Sequence, residues 1–340
     1  MILPDTLRLN EFGFYEIKQK PTPAELRDYY AQRYYQENLT TYQAAYPPEE
    51  LEHIEGKLRL RHWVLEELRK PNRVGGRNQH APVPAPKGAE LEKPSATADA
   101  VGTQAAGVAV NPGSFLDIGC GEGWALDYFQ RQGWEVLGLD FSSFSLEKFH
   151  PALRDRLRTG DLYEELQTLV AAGQQFDVLW LDNVLEHVLE PAELLRLCRA
   201  LVNPGGVLVV DVPNDFSVLQ QHLLDSGQID RPFWVVLPDH LSYFNSAGLR
   251  NIAKATGWHT AKVIGDQPID LNLLNPAANY VMDRTLGKGA HQARLQQDNL
   301  LLRTAPLPAV AAYYEALAGV GLGRSIVAFL QPAQLVINGQ

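Results

Sequence analysis

The chain is poor in sulfur, in positive charge and in uninterrupted apolar sequence. Two cysteines, Cys120 and Cys198, stand among 340 residues. That excludes a disulfide-framework scaffold and points to a reducing compartment. No apolar run approaches the roughly 18 residues of a membrane span. The longest candidate, 207–212, is strand-sized. The opening MILPDTLRLNEFG has no basic start followed by an apolar stretch, so no signal peptide is expected and the chain reads as cytoplasmic. Lys and Arg number 30 against 40 Asp and Glu, a net charge of −10. A surface that grips phosphate backbones is therefore not expected, nor is a DNA partner, although a local basic groove stays compatible with that balance.

Apolar residues make up 45% of the chain and charged residues 21%, ample for a large core without metal or disulfide staples. The length suits about two domains, or one with additions. Residues 1–70 are expected as an N-terminal helical cap. The run PAELRDYYAQRYYQENL begins with an early Pro and carries Glu25 in its first turn, and Leu26, Tyr30 and Tyr34 fall four apart on one stripe. A second helix is expected over 49–70. Of the 43 positions in 71–113, 21 are Pro, Gly or Ala and none is aromatic, the composition of a flexible linker. From Ser114, short apolar runs at 114–119, 134–140, 176–182 and 206–212 alternate with amphipathic stretches. Such alternation predicts βαβ units and a parallel sheet. The stretch PAELLRLCRALVNPGG is expected to stop at its Pro-Gly-Gly, and a helix over 246–258 is expected to start on Ser246 as N-cap. Strands follow at 259–265 and 325–331, with a helical insertion between them.

The strongest signal is Phe115-Leu-Asp-Ile-Gly-Cys-Gly-Glu-Gly-Trp-Ala-Leu126. A buried strand runs into Gly119, Gly121 and Gly123, and a helix begins at once. Glycines there let the backbone turn tightly and approach a ligand, and the helix N-terminus aims N–H groups at it. The second strand ends at Asp140, where a carboxylate can accept both hydroxyls of an adenosine ribose. An adenosine-containing cofactor over the carboxyl ends of the strands follows. A nicotinamide fold prefers a small residue where this chain has Trp124, which would crowd a pyrophosphate.

With Asp117, Asp140 and Asp161 in place, the sequence resembles the class I S-adenosylmethionine-dependent methyltransferases. The resemblance covers 114–265, plus a last strand near 325–331. It implies an α/β fold, a Rossmann-like sheet of seven strands in the order 3-2-1-4-5-7-6, and S-adenosylmethionine as cofactor. It also implies which residues meet that cofactor. Asp117, Gly119, Cys120, Gly121 and Gly123 take the methionine and ribose part, Asp140 and Phe141 the ribose, and Asp161 and Leu162 the adenine, with Asp182 and Asn183 completing the set. Methyl transfer needs no metal, and none is expected.

Asp182-Asn-Val-Leu-Glu-His-Val-Leu-Glu-Pro191 lies at the end of the fourth strand. It resembles the D-x-[VL]-E-H-[VL] stretch of ubiquinone-biosynthesis O-methyltransferases, with one extra residue before Leu185. His187 either takes a proton or braces the loop, and Glu186, His187 and Glu190 are a weak cation set. Asn214 and Asp215 either bond a polar substrate or fix their loop. The segment Phe233-Trp-Val-Val-Leu-Pro-Asp-His-Leu-Ser-Tyr-Phe244 makes His240 the first expected general base, with His187 second and Asp239 orienting His240. PNDFS, PDHLSYF, GKGAH and GLGR also resemble segments of certain bacterial class I methyltransferases. The late cations Arg284, Lys288, Arg294, Arg303 and Arg324 form either a solvated face or an anion site.

The expected organisation is a cap over 1–70, a linker over 71–113, a methyltransferase core over 114–265, and a substrate cap with the final strand over 266–340. The expected reaction is methyl transfer to oxygen or nitrogen of a small polar acceptor, a sugar or nucleotide-sugar first. The rivals are a nicotinamide oxidoreductase, a non-catalytic cofactor-binding scaffold, and a methyltransferase for protein or RNA. Nothing in the pattern sets an oligomeric state.

Overall fold

The structure is a computed structural model and describes residues 5–29, 45–70 and 112–333. The tyrosine stripe beyond residue 29 and nearly all of the 71–113 linker lie outside them. Among the described residues, no helix is long and apolar enough to cross a membrane.

A short antiparallel hairpin, β1 (Leu7–Leu9) and β2 (Tyr15–Ile17), opens the described chain. The N-terminal segment is therefore not wholly helical. Next come α1 (Pro23–Tyr29) and the long α2 (Pro48–Arg69). Pro48 at the first position, Glu49 and Glu50 in the first turn and Arg69 in the last suit the helix dipole of α2. The core alternates β3 (Ser114–Ile118), α3 (Trp124–Arg131), β4 (Glu135–Asp140), α4 (Phe144–Phe149), β5 (Leu157–Thr159), α5 (Leu162–Ala171), β6 (Phe176–Asp182), α6 (Pro191–Leu201) and β7 (Val202–Pro213). Then follow α7 (Val218–Asp225), β8 (Ser242–Tyr243), α8 (Ser246–Ala255), β9 (Trp258–Gly265), α9 (Gly287–Thr304), α10 (Leu307–Gly319) and β10 (Ser325–Pro332).

Seven strands form one sheet in the order β5-β4-β3-β6-β7-β10-β9. Numbered within the sheet this is 3-2-1-4-5-7-6, and β10 runs antiparallel to both neighbours. The central strands are apolar on both faces because helices cover both. One face packs Leu116, Leu179 and Leu208 toward α5, α6 and α8, and the other packs Phe115, Trp180 and Val209 toward α2, α3 and α10. β8 joins the N-terminal hairpin in a second, three-stranded sheet, so residues 7–17 are clasped to the loop before α8.

Strand β5, which the apolar runs did not mark, is three residues long, too short to show a period in sequence. Two local expectations are corrected. Helix α6 ends at Leu201, and Pro204-Gly-Gly lies inside β7, because Phe176 and Val178 of β6 pair with β7 on either side of it. Helix α8 is capped by Asn245, whose Oδ1 accepts from the Gly248 N–H at 2.8 Å, and not by Ser246.

Candidate functional site

A cavity of about 800 Å³ opens over the carboxyl ends of β3, β4 and β6, a volume ordinary for a small-ligand site. Its floor is the turn after β3. Gly119 sits at φ +75°, and a Cβ there would lie 2.6 Å from Val184 Cγ2. Gly121 sits at φ +53°, and a Cβ there would meet no atom within 4 Å, so the turn is bare on its ligand side. The Gly119 and Cys120 N–H groups donate to Leu139 O, at 2.7 and 3.0 Å, pinning the turn to β4. The Gly121 N–H donates to Asp140 Oδ2 at 2.8 Å, and Ser142 N–H to Asp140 Oδ1 at 3.1 Å.

Asp117, Gly119, Cys120, Gly121, Asp140 and Phe141 all line this cavity, and so do Asp161, Leu162, Asp182 and Asn183. Gly123 does not: it takes φ +84° as the cap of α3, with Leu146 beneath it. Asp161 doubles as the N-cap of α5, its Oδ1 accepting from Tyr163 N–H at 2.9 Å. Asn183 adopts a left-handed φ of 55° and donates to Asp182 Oδ1 at 2.8 Å. Cys120 is buried and its thiol is pushed well up by burial, so it packs as a neutral group.

The electrostatics of this floor are unusual. Asp117 is 3% exposed, and its carboxyl is held well above the usual range by burial and by the charges of Asp182 and Asp140. Burial also raises Asp182, but the Arg61 guanidinium and Lys57 outweigh it and leave that acid low. Arg61, buried on α2, donates to Asp182 Oδ2 at 2.7 Å and to Asp211 Oδ2. Asp211 is pushed up to about 6, chiefly by burial. Several cavity residues escaped the sequence reading: His53, Lys57 and Arg61 of α2, and Glu122 within the glycine turn. Glu122 Oε2 accepts from Trp124 Nε1 at 2.6 Å and from Tyr46 OH at 2.8 Å, while its buried Oε1 has no partner among the described residues. The glycine spacing hid Glu122 as a spacer position, and nothing local marks the α2 residues.

His187 is on the cavity wall, but His240 and Asp239 are not. His240 stands behind His187, the rings 4.8 Å apart and near perpendicular. Burial, His187 and Arg324 push its imidazole down to about 3, which makes it a poor proton acceptor. His240, expected as the first base, thus lies off the cavity wall. Asp239 accepts from Tyr29 OH at 3.1 Å, and its backbone carbonyl accepts from His187 Nδ1–H at 2.9 Å. Its interactions are thus with α1 and His187, where orientation of His240 was expected. Glu186, His187 and His240 bring a ligand atom each within 4.8 Å of one another, whereas Glu190 turns toward Lys20 at 3.7 Å. Burial pushes the Glu186 carboxyl well up.

Asn214 and Asp215 fix their loop. Asn214 Nδ2 donates to Gly323 O at 3.1 Å, and Arg324 donates to Asp215 Oδ1 at 3.1 Å. No residue of 266–333 lines the large cavity. Helices α9 and α10 instead buttress α2 from outside, and Arg324 is occupied by Asp215.

A doubly covered sheet with its seventh strand reversed, a bare glycine turn after the first strand and an acid ending the second define a class I S-adenosylmethionine-dependent methyltransferase. The chain belongs to the methyltransferase-domain family, whose model matches residues 90–263, just over half of it. It is similar to the ubiquinone biosynthesis O-methyltransferase of Cereibacter sphaeroides, 37% identical over 101 residues, which cover 29% of this chain and 40% of that protein. The corresponding protein of Coxiella burnetii is 32% identical over 161 residues, 42% of this chain and 66% of that one. The matches thus span from about two fifths to just under two thirds of these relatives' length. A solved S-adenosylmethionine-dependent methyltransferase from Archaeoglobus fulgidus aligns at 18% identity with a TM-score of 0.41, over 64% of this chain and 85% of that one.

Proposed function

We propose that this protein transfers a methyl group from S-adenosylmethionine to a hydroxyl oxygen or amine nitrogen of a small polar acceptor. The observation that carries the reading is the cluster of Asp117, Asp140 and Asp182 around the bare Gly119–Gly121 turn, with Asp117 already penalised by its neighbours' charge. That floor suits a ligand bearing cationic groups and is hostile to a pyrophosphate. Bound there, the cofactor supplies an electrophilic methyl on a sulfonium. Its cations fit the acids, and its adenosine fits Asp140, Phe141, Asp161 and Leu162.

The chain's own work is alignment and exclusion of water. Asp140 takes the ribose hydroxyls while fixing the glycine turn through Gly121. Leu26 of α1 and Ile54 and Leu58 of α2 close the apolar side. His187 spends its Nδ1 proton on the Asp239 carbonyl and braces the 239–240 loop under the cavity wall.

The relatives' name, an O-methyltransferase, supports an oxygen acceptor. Glu164, Glu190 and Glu193 rim the adenine-side edge, which disfavours a nucleotide-sugar diphosphate entering there. A neutral sugar or a phenol fits the rim better. Calorimetric titration with S-adenosylmethionine, S-adenosylhomocysteine and NADH tests the cofactor: micromolar binding of the first two alone is expected, and NADH binding refutes the reading. Methyl transfer to glucose, catechol and tyramine then tests the acceptor atom.

A further inference from the structure

Helix α2 carries a histidine whose surroundings are built for proton transfer. His53 is 7% exposed and lines the large cavity, one turn from Lys57. Its Nε2–H donates to Asp298 Oδ2 of α9 at 2.8 Å, and the other oxygen of that carboxylate accepts from Tyr314 OH of α10. Asp298 is itself 3% exposed. With its Nε2 proton committed to the carboxylate, the imidazole keeps its lone pair on Nδ1, which has no hydrogen bond to the described residues. Behind this chain, a second cavity of about 20 Å³ touches Asp298, Tyr314, Lys57 and Asp266. That is room for one water molecule among four polar groups.

We propose that His53 is the general base of the methyl transfer, oriented by Asp298 and Tyr314; the proposal rests on the methyltransferase reading above. The acceptor hydroxyl gives its proton to His53 Nδ1 as its oxygen bonds to the methyl carbon, and the electron pair of the breaking carbon–sulfur bond stays on sulfur. The imidazolium so formed is neutralised by Asp298, in the manner of a histidine–carboxylate dyad. His187 donates its Nδ1 proton to a backbone carbonyl, with carboxylate oxygens of Glu186 and Asp239 at 3.8 and 3.9 Å, and His240 does not line the cavity. The charged and titratable groups facing His53 are Asp298 and Arg294 from α9, Tyr314 from α10 through Asp298, and Lys57 on its own helix. Burial, Lys57 and Arg294 lower the imidazole against the pull of Asp298.

Two measurements on the full-length protein test this. The first is ¹⁵N NMR of histidine-labelled protein without acceptor, read at His53 by difference from His53→Gln. A neutral ring with its proton on Nε2 is expected; a proton on Nδ1 overturns the proposal whatever is turned over. The second is methyl transfer to catechol, a neutral phenol, by His53→Ala. A loss of about 10²–10⁴-fold in kcat is expected, with S-adenosylhomocysteine affinity kept and part of the rate restored by added imidazole. Unchanged turnover in His53→Ala, or its loss in His187→Ala with imidazole rescue there instead, overturns the assignment. Failure of the unsubstituted protein to bind S-adenosylhomocysteine would instead sink the cofactor reading, which the NMR result does not touch.

Discussion

At the scale of single residues, the floor of the cavity works by leaving atoms out. Gly119 holds a left-handed φ against Val184, so Gly119→Ala introduces both backbone strain and a contact 2.6 Å from a methyl group. We expect this substitution to cost about 1–3 kcal/mol of stability and to abolish cofactor binding, read by thermal melting and calorimetry on the same sample. Asp140→Ala removes the acceptor for the Gly121 N–H together with the proposed ribose ligand. A loss of cofactor affinity of about tenfold or more is expected, and unchanged affinity would refute the ribose assignment. Asp117 gives a pH signature. Its carboxyl is raised in the free protein, and a bound cation favours its ionised form, so binding releases protons. Affinity for S-adenosylmethionine should therefore rise with pH through the titration of Asp117, and titrations in buffers of different ionisation enthalpy will show the proton release.

At the scale of elements, α2 is held to the sheet by charge as well as by Leu58, Val64 and Leu65. Arg61 neutralises Asp182 and Asp211, which end the fourth and fifth strands of the large sheet. Arg61→Leu takes away the cation hydrogen-bonded to both acids and leaves them only the charge of Lys57, a change that costs about 3–5 kcal/mol where the lost partner was buried. The pH dependence follows from Asp211. Its folded pKa of about 6 lies above the unfolded value, so its contribution favours the fold at low pH and is lost as pH rises through 6. The destabilisation of Arg61→Leu should be greatest near pH 8 and shrink near pH 5, measured as urea midpoints at the two values. The small sheet is fixed by close approach. A Cβ on Gly248 of α8 would lie 2.8 Å from Phe14 Cβ, so Gly248→Ala should loosen the hairpin and speed proteolysis within residues 5–20 while the large sheet stays folded.

At the scale of the whole molecule, the additions before and within the core share one job. Helices α9 and α10, inserted between the last two strands of the sheet in chain order, do not roof the cavity; they back α2, which does. The hairpin, through Tyr15 and Tyr243, ties the N-terminal segment to the loop that ends in β8, and Tyr29 ties α1 to Asp239 in that loop. The cavity is thus walled by α1 and α2 over a parallel sheet that supplies its floor, with α9 and α10 packed behind α2.

What the sequence determined alone is what lies close together along the chain. The glycine turn, Asp117, Asp140 and Asp161 are legible because a strand, a tight turn and a helix start are local events, with residue types dictated by backbone geometry. The order of apolar runs gave the sheet for the same reason, while β5, at three residues, was too short to show a period. Tertiary structure decided the rest. His53 meets Asp298 across 245 positions and Arg61 meets Asp211 across 150, contacts that no spacing announces. His240, in a loop rich in aromatics, was the natural expectation for a base, yet packing put it behind His187. Local propensity sets the turn that receives the cofactor. Burial and long-range packing choose which side chains face it.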